Sequence, residues 1–143
     1  MDNLKQALCW TDQVISDWKE KGIKLEKGIS IEKIHDFEKL LNFTFPQDFI
    51  DLYIKINGFE DYDWNENMIS IWSLKRIENE FGRYPNFIGF SDFFTCSHVY
   101  GFLKDQQGIF KNYDLTDPGV PEKIAETFEE AINLINTNSD LLY

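Results

Sequence analysis

Residues 30–59, SIEKIHDFEKLLNFTFPQDFIDLYIKINGF, constrain the fold more than any other stretch of this chain. Ile31, Ile34, Phe37, Leu40 and Leu41 recur at helical spacing and predict one amphipathic helix, while Phe49, Leu52, Tyr53 and Ile56 predict a second. Ser30 can accept a bond from the first free amides of the first helix, and Glu32 suits its dipole. Pro46 steers Phe45 out of the helical region and fits the first turn of the second helix. Asn57-Gly58 supplies a residue able to take the left-handed conformation that closes this helix, with Phe59 folding back onto its last turn. The stretch is a packing unit before it is a chemical one.

The rest of the chain is placed around it. Residues 2–21 form an expected N-terminal helix with Leu4, Leu8, Thr11, Val14 or Ile15, and Trp18 on one stripe, Gly22 just past its end and Trp10 at its edge. Ile23 to Glu26 alternates apolar and charged residues, either as a short edge strand or as an extended connector. Met68 to Trp72 alternates like a strand, with Met68, Ser70 and Trp72 on one face, and Ser73 caps a short helix containing Leu74, Ile77 and Phe81. Residues 87–90, 97–104 and 108–113 read as strands, with Asp105-Gln106-Gln107-Gly108 as a hairpin loop, and 117–121 as a turn-rich link. Thr127-Phe128-Glu129-Glu130 is a capping box opening a last helix with Phe128, Ala131, Ile132 and Ile135 inward. Strands in the middle and helices at both ends, without β-α alternation, predict a single α+β domain: a central antiparallel β-sheet flanked by helices. A chain of 143 residues is long enough to bury about 68–70% of its unfolded surface without disulfides or metals.

Charge and reactive groups narrow the function. With 25 acids against 14 bases and a net charge of −11, the chain would repel a phosphate backbone, so direct nucleic-acid binding is not expected. No apolar run approaches the roughly 18 residues of a membrane span. Cys9 and Cys96 are far apart with no C-x-x-C pair and no secretory signal, which predicts reduced thiols in a cytoplasmic protein. The two histidines are poor catalysts: His35 falls on the polar side of its helix, and His98 sits two residues from Cys96 on a strand, on the same side but with no motif around it. Cys9, His35, Cys96 and His98 match no zinc spacing, and the scattered glycines form no phosphate loop. Asp61 with Asp63, or Asp92 with Asp105, could be paired as acid and base, but 25 acids make such pairs a coincidence. No catalytic residue, metal or cofactor is assigned.

The segment from Glu60 to Glu66 remains. It is either a solvated loop whose Tyr62 and Trp64 fold back onto the sheet, or a protein-binding edge, because Tyr and Trp are enriched at interface hot spots and carboxylates steer Lys and Arg of a partner.

Ile34-x-x-Phe37-Glu38-x-x-Leu41, Phe45-Pro46-x-Asp48-Phe49-x-x-Leu52-Tyr53 and Asn57-Gly58-Phe59 are followed by Ile69-x-Ile71-Trp72-Ser73-Leu74 and Ile124-Ala125-x-Thr127-Phe128-Glu129-Glu130. In order and spacing these resemble the SUKH superfamily, in particular the branch related to the yeast cell-wall assembly regulators of the Smi/Knr type, over about residues 30–136. The chain departs from the pattern at Ile88 to Phe94, which keeps Ile-Gly and Ser-Asp but is more aromatic. The resemblance implies a central antiparallel sheet wrapped by helices and, in bacterial members, an immunity protein that binds and blocks a polymorphic or contact-dependent toxin, many of them nucleases, without catalysis. An acidic chain suits a basic toxin. Chemistry, not the resemblance, places the expected contacts at Glu60, Asp61, Tyr62, Asp63, Trp64 and Glu66, with Asp92 and Asp105 on neighbouring sheet loops. A regulatory or scaffolding interaction module is the alternative, and an enzyme of unknown chemistry a third reading. Nothing fixes the oligomeric state; a monomer is the simpler expectation.

Overall fold

The computed structural model describes residues 9–82, 86–113 and 120–143. Helix α1 (Trp10–Glu20) is followed by strand β1 (Leu25–Lys27), helices α2 (Ile31–Leu41) and α3 (Gln47–Tyr53), and strands β2 (Ile56–Phe59) and β3 (Ile69–Ile71). Helix α4 (Leu74–Glu80) leads into strands β4 (Phe87–Phe93), β5 (His98–Leu103), β6 (Gln106–Tyr113) and β7 (Glu122–Ala125). Helix α5 (Phe128–Asn136) and a short 3-10 turn (Asp140–Leu142) complete the described chain. Strands β3 to β7 form one antiparallel sheet in chain order, and β1 pairs with β2 in a small second sheet. This is the expected α+β fold.

The recurring motif positions turn out to be the joints between elements. Glu38 Oε2 accepts the amide of Phe45 at 2.7 Å, closing the turn between α2 and α3. Asp48 Oδ2 accepts the amide of Glu129 at 2.9 Å, so the start of α3 also caps α5. Asn57 Oδ1 accepts the amide of Leu74 at 2.8 Å at the start of α4, and the Tyr53 hydroxyl donates to the carbonyl of Trp72. Each bond satisfies a backbone group that the end of an element leaves free. Ser30, Ser73 and Thr127 cap α2, α4 and α5 through the amides of Lys33, Arg76 and Glu130.

The core is a chain of rings. Phe45 stacks on Phe49 at 4.1 Å, Phe49 on Tyr53 at 4.0 Å, and Phe128 meets both Phe49 and Phe90 edge-on at 5.0 Å, with Phe102 beside Phe90 at 5.3 Å. Such pairs add about 0.5–1.5 kcal/mol each beyond the area they bury. Trp18 of α1 closes one side, edge-on to Phe59 and donating its indole N–H to Asn136 Oδ1 at 2.9 Å.

Several local expectations need correction. The second helix ends at Tyr53 with Ile54 as its cap, and Ile56 to Phe59 is a strand, not the helix end and its turn. Residues 25–27 compete for this segment: Leu25 pairs with Phe59 and Lys27 with Ile56, and a ladder outcompetes one more helical turn because it buries Ile56 and Phe59. Gly58 keeps the predicted left-handed φ of 73° but as a bulge residue, where a Cβ would lie 2.5 Å from the Trp72 carbonyl. Pro46 is the cap of α3 and not its first residue. Ile31 and Leu40 are exposed, so the buried stripe of α2 is Ile34 and Leu41 with Phe37 half-buried. Met68 adopts a left-handed φ of 63° ahead of β3, and Phe81 lies past the end of α4. The hairpin turn is Lys104-Asp105, with Leu103 paired to Gln106. Residues 122–125, to which the sequence assigns no element, form the edge strand β7. The predicted Leu4 and Leu8 of the first stripe and the turn at 117–119 lie outside the described residues.

Candidate functional site

Between β2 and β3 the chain runs through residues 60–67 without regular structure, but it is well tied down. Asp63 Oδ2 accepts the amide of Lys24, Asp63 Oδ1 accepts that of Trp64 at 3.2 Å, and the amide of Glu60 bonds the Lys24 carbonyl at 2.8 Å. Asn65, itself buried, accepts the amides of Asn67 at 2.8 Å and Ile69 at 3.0 Å. A loop anchored at both ends by short polar side chains can hold a large ring in water without collapsing. Tyr62, at a left-handed φ of 67°, is 93% exposed, and Trp64 is 46% exposed. Tyr62 therefore does not fold back onto the sheet.

Facing this loop are the polar side of α4 and the turn between β4 and β5. Together they enclose a groove of about 520 Å³, bordered by Tyr62 and Trp64, by Arg76 and Asn79 of α4, and by Thr95 and Cys96. Its carboxylates are Glu26, Asp61, Asp63, Glu80 and Asp92, against two bases, Lys75 and Arg76. Phe94, in the turn between β4 and β5, is a further open ring, 53% exposed, with its amide bonded to the Met68 carbonyl at 3.0 Å. Phe94, Thr95 and Cys96 all take left-handed φ values, of 49°, 52° and 68°.

Asp92 forms the floor and is the hub of the site. It lies within β4, not on a loop, and is 4% exposed, which corrects its expected position. Its Oδ1 accepts the Trp72 indole N–H at 2.8 Å, and its Oδ2 accepts the Cys96 amide at 2.9 Å and Arg76 Nη2 at 3.4 Å. The Arg76 guanidinium also lies over the Trp72 ring, 4.5 Å from its centre. Three donors satisfy the buried carboxylate, so Asp92 sets the shape of the groove and the aim of Arg76. Burial, with Asp92 next, pushes the Cys96 thiol up to about 11, so it sits in the groove as a poor nucleophile.

Of the residues expected to touch a partner, Asp61, Tyr62, Asp63, Trp64 and Asp92 converge on this groove. Glu60 is exposed at the start of the loop, and Glu66 pairs with Lys21 at 3.2 Å. Asp105 is elsewhere, in the β5–β6 turn beside a second groove of about 630 Å³ lined by Phe43, Phe102 and Leu103. Sequence reasoning missed Met68 and Arg76 as groove residues, and no local signal announces the Trp72–Arg76 contact. Cys96 is in a turn and His98 in β5, so the strand alternation that paired them does not apply. His98 packs edge-on to Phe93 and Tyr113, and His35 pairs with Glu38 at 2.7 Å on the surface of α2.

Among the described residues, no group of three or more His, Cys, Asp or Glu side chains could hold a metal ion, and no helix is long and apolar enough to cross a membrane. A search of curated proteins finds no match. The profile of the SMI1 / KNR4 family (SUKH-1) matches residues 28–134. That span runs from just before α2 into α5 and includes every joint made by Glu38, Asp48, Tyr53 and Asn57, so the chain belongs to the SMI1 / KNR4 family (SUKH-1).

Proposed function

We propose that this protein is a cytoplasmic immunity protein that binds a cognate basic toxin, a nuclease being the class its charge suits best, and blocks it by occlusion without catalysis. Family membership supports the immunity-type role. The observation that carries the docking site is the groove, where two exposed rings, Tyr62 and Trp64, stand beside five carboxylates and two bases. Aromatic side chains of this kind are the usual anchors of an interface, and the surrounding acids steer Lys and Arg toward them. Asp61, Tyr62 and Trp64 meet the partner directly. Asp63 and Asp92 act from beneath, Asp63 by ordering the loop and Asp92 by fixing Arg76. Steering of this sort raises association toward about 10⁸ M⁻¹s⁻¹ at low salt, and the rate falls as salt screens it.

Co-expression with the product of the neighbouring gene tests the reading. Co-purification of the two proteins and relief of that product's growth arrest are expected. A neighbouring product that neither binds nor arrests growth, together with capture of a resident cellular protein, would favour the regulatory or scaffolding alternative.

A further inference from the structure

Outside the lining of the groove, the start of α1 meets the residues just past α3 through a compact set of reactive groups. Cys9, the cap residue of α1, is exposed, and its Sγ lies 3.1 Å from Lys55 Nζ, a residue 46 positions along the chain. Lys55 is held there by two further bonds, 2.7 Å to the hydroxyl of buried Thr11 and 2.9 Å to Asp12 Oδ1. The other oxygen of Asp12 lies 3.1 Å from the same sulfur, and the Thr11 hydroxyl is also 3.1 Å from it. A thiol and a primary amine from distant parts of the chain are thus fixed at contact distance, with a carboxylate touching both.

We propose that Cys9 and Lys55 are a modification site: peroxide oxidises the Cys9 thiol to a sulfenic acid, and Lys55 Nζ then displaces the sulfenic oxygen to form a sulfur–nitrogen cross-link. In the first step the sulfur gives two electrons to the peroxide O–O bond, which breaks to leave the sulfenic acid and one water. In the second, the ammonium of Lys55 passes one proton to the sulfenate oxygen, the freed amine pair attacks sulfur, the S–O bond breaks, and the oxygen takes a second proton from the nitrogen and leaves as water, while Asp12 holds the amine against the sulfur. Hydrogen bonding to Thr11 first, then the Asp12 amide and Lys55, hold the Cys9 thiol below its ordinary range, which favours the reactive thiolate. Cys96 provides an internal contrast, being half-buried and pushed up to about 11. The bridge would join the N-terminal end of α1 to the connector that leads into β2.

Treatment of the purified chain with a small excess of hydrogen peroxide, followed by mass spectrometry, tests this. The intact protein is expected to lose about 2 Da, two hydrogens, reversibly with dithiothreitol. Trypsin should then release the Cys9 peptide joined to one left uncut at Lys55. Lys55→Arg should abolish the joined species and let Cys9 run on to its sulfinic acid, about 32 Da heavier; Cys9→Ser should abolish it with no gain at that position. Gains of oxygen at Cys9 with Lys55 still cut by trypsin, or a Cys9 disulfide between two chains, would overturn the proposal.

Discussion

At the junction of α3, α5 and the sheet, Phe45, Phe49, Tyr53, Phe90, Phe102 and Phe128 lie against one another and all are buried; in the groove, Tyr62 and Trp64 present open faces beside carboxylates, and Phe94 is exposed in the β4–β5 turn. The first set comes from elements with regular periodicity, and each ring finds a neighbour. The second comes from a loop and a tight turn, where polar anchors such as Asp63 and Asn65 carry the backbone and the rings contribute little to folding. The comparison teaches that aromatic content alone does not say whether a ring serves the fold or a partner. What separates the two is whether short polar side chains have taken over the job of holding the backbone.

That division can be broken or sharpened by substitution. The largest effect is expected in the core, where Phe49→Ala removes a ring in contact with Phe45, Tyr53, Phe102 and Phe128 and should cost about 3–5 kcal/mol in urea unfolding. Asp92→Ala falls between the regions, since it strips three donors of their acceptor; a loss of about 1–3 kcal/mol together with weakened partner binding is expected. A neutral outcome in both measurements would show that Asp92 does not shape the groove. Trp64→Ala should change stability by less than about 0.5 kcal/mol, while weakening partner binding roughly 30-fold or more, as hot-spot rings do.

The smallest effect is a pH dependence on the far side of the sheet from Asp92. Burial, and then the Lys111 ammonium, lower the pKa of His98 below its ordinary value of 6.5. As pH falls, the unfolded chain takes this proton before the folded one, so the stability tied to neutral His98 is complete above that ordinary value and is lost as pH drops toward the lower folded value. Urea midpoints measured across this window should fall with acidification, and His98→Asn should flatten the fall. An unchanged slope in the variant would assign the dependence to other groups.

Much of this fold was legible before the structure, and what was missed has a physical cause. Helix starts were clear because Ser30, Ser73 and Thr127 announce them locally. The helix end at 56–59 was misread because a pairing with residues 25–27, distant in sequence, decided it, and β7 was invisible because Glu122-Lys123-Ile124-Ala125 carries no alternation and only its pairing with β6 makes it a strand. At the site, the exposed rings of the loop could be read from lost periodicity and charge. Asp92 could not be placed, because its burial depends on Trp72, Arg76 and the Cys96 amide arriving from three different segments. Nor could Phe94 be separated from the core phenylalanines, since only the left-handed turn turns it outward.

The central claim is that the open rings of the groove recognise a partner while contributing little to the fold. Its most direct test is the affinity of the Asp61→Lys, Tyr62→Ala, Trp64→Ala triple variant for the neighbouring gene's product, measured by calorimetry beside its urea midpoint. Binding lost or weakened by at least about 100-fold, with cooperative unfolding retained, is the result predicted from charge reversal plus loss of both anchors. Binding at the level of the unsubstituted protein would contradict the claim and move the partner-binding face elsewhere.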